Sequence, residues 1–188
     1  MSTLHHKHLK KETSLDVSSD PLEILTLEQQ EELNYCALME AATASIRTKG
    51  FSKEAFEQIG FCARALAALV RKHHDIEENI LVPASEHHRI NLPTSMKTER
   101  RELNKAFMQL IEVVKDVEDG KIYGNIVSEL HQTVTHAAEL LKASIAKKNN
   151  ALIPLAKKAM TVKEYNQLKK EFYVSPSEPA VPVAMKRK

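Results

Sequence analysis

The 188-residue chain is 43% hydrophobic and 28% charged with a formal net charge of +2, which fits one ordinary globular domain and excludes a broad electrostatic footprint for nucleic acid. No apolar run approaches the roughly 18 residues a membrane span needs, and no apolar leader is visible. The expectation is a cytoplasmic chain with neither membrane nor nucleic acid as partner.

Four Gly, seven Pro and almost no β-branched alternation argue for helix throughout. Residues 1–20 read as a flexible polar arm in which His5, His6 and His8 are a solvated tail with at most weak affinity for a divalent ion. From Pro21 a long helical pattern begins. Thr26 with Gln29 resembles a capping pair, and Leu33, Ala37, Met39 or Glu40, and Ile46 follow as far as Gly50. Ser52 caps a second helix with Glu54 in its first turn. That helix carries Phe56, Ile59, Ala63, Leu66, Leu69 and Val70, and Pro83 bends or ends it. Residues His87 to Thr94 form a connection. A third helix spans about Ser95 to Glu118 on the stripe Leu103, Phe107, Leu110, Ile111 and Val114, and Asp119-Gly120 stops it. A fourth begins near Tyr123 and carries Ile126, Leu130, Val134, Ala137, Leu141 and Ile145. Thr161 and Glu164 open a short fifth helix through Tyr165, Leu168 and Phe172. Residues 173–188 form a Pro-rich basic tail ending Lys186-Arg187-Lys188, expected to be disordered. The fold class is therefore all-α: an antiparallel up-down four-helix bundle over 21–172 with a short extra C-terminal helix. Cys36 and Cys62, in helical text among small apolar residues, are expected to be reduced, buried thiols.

Two stretches are near copies. The first is His73-His74-Asp75-Ile76-Glu77-Glu78-Asn79-Ile80-Leu81-Val82-Pro83; the second is Ser144-Ile145-Ala146-Lys147-Lys148-Asn149-Asn150-Ala151-Leu152-Ile153-Pro154. Aligned on Asn, Leu and Pro, His73 falls on Ser144 and Glu77 on Lys148. His73 and Glu77, at i and i+4, leave a helix on one face and suit iron, manganese or zinc. The second copy puts a hydroxyl and an ammonium there.

The first copy, together with Asn149 to Ala156 and the Thr161-x-x-Glu164 start, resembles the hemerythrin-like, or HHE cation-binding, domain over about residues 21–172. The resemblance implies a bundle around a non-haem di-iron centre that binds or senses oxygen or nitric oxide, or serves iron-centre repair. It also implies where ligands belong, and most of those positions are substituted: Gln29 on the first helix, Arg100 on the third, Ser144 and Lys148 on the fourth. Only His73 and Glu77 remain. Arg100 or Lys148 is expected to pair with Glu77 across the bundle and to repel an incoming ion, since a buried charge without a partner costs several kcal/mol.

Weaker candidates surround this pair. His136 and Glu139, at i and i+3, offer a relocated site with Glu99 or Glu102, and His131 is a further candidate. Glu78 and His74 are expected to be exposed or to stand behind the ligand face, and His87 and His88 to lie on the surface. There is no Gly-rich phosphate loop and no nucleophile elbow. The reading is a bundle that has lost its di-iron ligands: a binding or regulatory module without catalysis or cofactor, taking a protein partner. The alternatives are a di-iron protein of the usual kind and a rebuilt single-metal site, with zinc as one candidate ion.

Overall fold

A computed structural model of the chain describes residues 20–88, 95–121 and 124–174. The arm histidines, most of the 87–94 connection, Tyr123 and the basic tail from residue 175 lie outside the described residues, while residues 173 and 174, read as the start of that tail, continue the last helix. Those described are helical, with no strand among them.

Helix α1 runs Pro21–Lys49. Its start is set by Asp20, whose Oδ1 accepts from the Leu22 N–H at 2.8 Å, with Pro at the first helical position, where a missing N–H costs nothing. Thr26 is thus inside the helix rather than at its cap, its hydroxyl donating to the Leu22 carbonyl. Gly50 ends α1 at φ +90°, a conformation that favours glycine. Helix α2 runs Lys53–Ile76, and the Ser52 Oγ accepts from the Ala55 N–H as the sequence predicts.

Pro83 does not end this helix. A π-turn at Glu77–Leu81 leads into α3, Val82–His87. Helix α4 spans Ser95–Glu118 and stops before Gly120 at φ +76°. Helix α5 spans Ile126–Lys147, starting after Asn125, and passes through a second π-turn, Lys148–Leu152, into α6, Ile153–Ala159. The two copied stretches thus share a backbone irregularity as well as a phrase. Pro83 and Pro154 have no N–H to give the carbonyls of Asn79 and Asn150, and their rings crowd those carbonyls. The helix widens one turn earlier instead: Val82 N–H reaches the Glu77 carbonyl, and Ile153 N–H that of Lys148.

Helix α1 packs beside α2 and α5, and α4 beside the same two, so α1 and α4 are diagonal. Cross-helix pairs run in opposite senses: Glu28 meets Lys72 while Tyr35 meets Phe61, and Glu40 meets Lys142 while Arg47 meets His131. Neighbours are therefore antiparallel.

Two apolar clusters result. The larger, including Met39, Leu66, Leu110, Val134 and Leu141, fills the bundle. The smaller closes one end, where Leu22, Leu25, Ile80, Leu81 and Leu152 meet Leu168 and Phe172 of α7, Val162–Val174. Cys36 and Cys62 stand free and buried in the larger cluster, their thiols pushed up to about 12 and about 11 by burial, which disfavours the reactive thiolate.

Helix α7 opens with the reciprocal cap predicted for it. Glu164 accepts from the Thr161 N–H at 2.7 Å, and the Glu164 N–H donates to Thr161 Oγ1 at 3.3 Å. The Thr161 hydroxyl and N–H, helped by His88, hold the Glu164 carboxyl down at about 2. Its folded value lies below its unfolded one, so its contribution is present above about pH 4.5 and is lost as pH falls through about 2. The expected result is that Glu164→Gln, which keeps the acceptor of the cap and loses its charge, lowers stability by about 0.5 kcal/mol near neutral pH. The gap to the parent should close in thermal melts taken at progressively lower pH.

Candidate functional site

Between the two apolar clusters lies a layer of buried polar side chains: Gln29 and Glu32 from α1, His73, His74 and Glu77 from α2 and its π-turn, and Lys148 from the second π-turn. Arg100 of α4 enters from the side, 15% exposed.

The layer has two halves. Between α1 and α2, His73 is 1% exposed and sits between two carboxylates. Its Nε2 donates to Glu28 Oε2 at 2.9 Å, and its Nδ1 faces Glu32 Oε1 at 3.1 Å. Lys72 Nζ donates to the other Glu28 oxygen at 2.6 Å and lies 4.9 Å above the Phe172 ring. Burial pulls the His73 value down, but Glu28 and Glu32 outweigh it, so the ring is held above an ordinary histidine. Burial opposes ionisation of Glu28 as well; the His73 and Lys72 hydrogens nevertheless keep it below the usual carboxylate value.

The other half joins α2, α4 and α5. Lys148 Nζ stands 2.6 Å from Glu77 Oε1, the two side chains 7% and 2% exposed. Arg100 Nη2 lies 3.6 Å from Glu77 Oε2, and its Nη1 donates to Glu78 Oε2 at 3.0 Å. Beside them is a cavity of about 10 Å³ lined by His74, Glu77, Arg100, Ser144 and Lys148, room for about one water. Burial, then the charges of Lys148 and Arg100, push His74 down to about 3, so it is a neutral ring at ordinary pH.

The four substituted positions therefore converge with the two retained ones. Gln29, Ser144, Lys148 and Arg100 reach the layer that holds His73 and Glu77, and both cations face Glu77. His74 is buried, 6% exposed, behind the ligand face rather than in solvent, because α2 is covered by α1 on one side and α4 on the other. His88 is half-buried and 3.3 Å from Glu164, while His87 is exposed. His136, Glu139 and Glu102 are exposed and Glu99 is held by Lys147 at 2.5 Å, so the structure brings together no relocated site. His131 bridges Arg47 and Thr43, an α1–α5 fastening outside the polar layer.

Sequence reasoning missed Glu28 and Glu32 as the partners of His73. A signal existed: Leu22, Leu25, Gln29, Glu32, Cys36, Met39, Thr43 and Ile46 form an alternating three-and-four spacing, and all are buried. The predicted stripe through Leu33 and Ala37 is one residue out of phase, and Ala37 is exposed.

A di-iron centre needs imidazoles and carboxylates from both halves of the layer. The second half sets an ammonium and a guanidinium against its carboxylate, Glu77, beside the His74 ring and the Ser144 hydroxyl, so the residues present do not fit that group. Among the described residues, no set of three or more His, Cys, Asp or Glu side chains is placed to hold a metal ion. No helix among them is long and apolar enough to cross a membrane.

The family model of the hemerythrin HHE cation binding domain matches residues 20–156. No curated protein matches the chain. The match covers all four long helices, both π-turns and the whole polar layer, with α7 beyond it. The chain belongs to the hemerythrin HHE cation-binding domain family.

Proposed function

We propose that this member of the family has exchanged its metal ions for fixed organic cations and serves as a non-catalytic binding or regulatory module. The observation that carries the reading is the Lys148–Glu77 contact of 2.6 Å, buried on both sides. A divalent ion arriving about 4 Å from that ammonium would meet roughly 8 kcal/mol of repulsion at an effective dielectric near 20. Glu77, its one remaining carboxylate ligand, would also have to leave Lys148. In place of an open coordination position, where family chemistry would occur, the layer holds paired charges. What remains for function is the stable bundle and its surface.

Elemental analysis of untagged protein from iron- and zinc-supplemented cells, dialysed to clear ions held loosely by arm histidines, tests this. The expected result is folded protein without stoichiometric metal. Stoichiometric iron or zinc retained through dialysis would overturn the reading.

A further inference from the structure

The outward face of α1 carries a pattern that the polar layer does not use. Between Leu33 and Ile46 the only charged residue is Glu40, and Lys142 of α5 holds it with two contacts of 2.8 Å. The outward stripe of this helix reads Glu31, Asn34, Leu38, Ala41, Ser45, Lys49, each three or four positions after the one before. Leu38 is 43% exposed. Across the α1–α2 seam, Phe61 is also 43% exposed and meets Tyr35, three residues before Leu38, edge to face. In a chain that is 28% charged, a surface helix normally places charges on its solvent face. Here that face has an apolar, uncharged centre, an acid at one end and a base at the other.

We propose that this face of α1 is a two-fold interface with a second copy of the chain, the two α1 helices packing antiparallel. In a two-fold interface each group near the axis meets its own copy, so a charge there would face its like. The neutral centre satisfies that condition. Glu31 and Lys49 are equally far from the midpoint and separated by about 27 Å along the helix. Antiparallel packing therefore sets Glu31 of each copy against Lys49 of the other, twice over. Leu38 of one copy then lies against the small Ala41 of the other beside the axis. Parallel packing would set acid on acid and base on base. This interface is independent of whether the polar layer holds metal.

Sedimentation equilibrium on the full chain at low salt tests the proposal. The wild type should be a dimer and Leu38→Glu a monomer with unchanged helix content. Glu31→Lys alone sets base against base, and Lys49→Glu alone sets acid against acid. Each should raise the dissociation constant about tenfold, and the double variant should return close to the wild-type value, because exposed ion pairs are individually weak but each substitution here acts twice. A wild type that stays monomeric at every concentration, or a double swap no tighter than either single, would overturn the interface.

Discussion

Lys148→Met should destabilise the bundle by about 3–5 kcal/mol, because it strands a buried carboxylate. Glu77 is 2% exposed as a side chain, and after the substitution its remaining counter-ion is Arg100 at 3.6 Å, itself shared with Glu78. A buried pair is a poor source of net stability, since desolvating both ions offsets their attraction; removing one partner loses the attraction and keeps the desolvation. The double variant Glu77→Gln with Lys148→Met should therefore fall within about 1 kcal/mol of wild type or above it. Chemical denaturation of the four members of this cycle checks both statements. A single variant as stable as wild type would mean that Arg100 alone neutralises Glu77.

Gln29→Leu should stabilise the protein, by about 1–3 kcal/mol, the usual cost of a buried amide left without partners. Gln29 is 1% exposed, and neither its Oε1 nor its Nε2 has a hydrogen-bond partner among the described residues. It occupies the first-helix position where the family resemblance places a ligand. Leucine is close to glutamine in volume, so the core need not repack far. The same denaturation experiment reads the sign. A loss of stability would show that Gln29 is bound to ordered water and belongs to a satisfied polar network.

The parts of this molecule legible in the sequence are those set by neighbouring residues. Ser52 and the Thr161–Glu164 pair act over three residues, so their text is local and the caps form where expected. The stop at Gly120 is of the same kind. The inward placement of Lys148 was legible through comparison: the two copied phrases share a Leu and a Pro, and shared backbone geometry carries Lys148 to the position of Glu77. What failed depends on tertiary covering. The face of α1 that enters the polar layer carries Gln29, Glu32 and Thr43, so apolar periodicity fades where the site lies: Leu33 and Ala37 stand one residue off the buried stripe, which Met39 and Ile46 join as expected. Which of its two expected places His74 takes, solvent or behind the ligand face, is decided by packing, because a helix wedged between two others buries far more than one narrow face. Glu28 and Glu32 were missed as partners of His73 because they belong to that same obscured helix.

We propose that Lys148, Arg100 and Ser144 stand where ligands of the family stood, and that Lys148 and Arg100 supply the charge metal ions once supplied. Iron binding by the restored variant Arg100→His, Ser144→His, Lys148→Glu, measured beside the wild type by anaerobic titration of the apo-proteins with ferrous iron, tests it most directly. Tight uptake by the folded variant and none by the wild type is the expected result. A folded variant that takes up no iron, or a wild type that takes up as much, would contradict it.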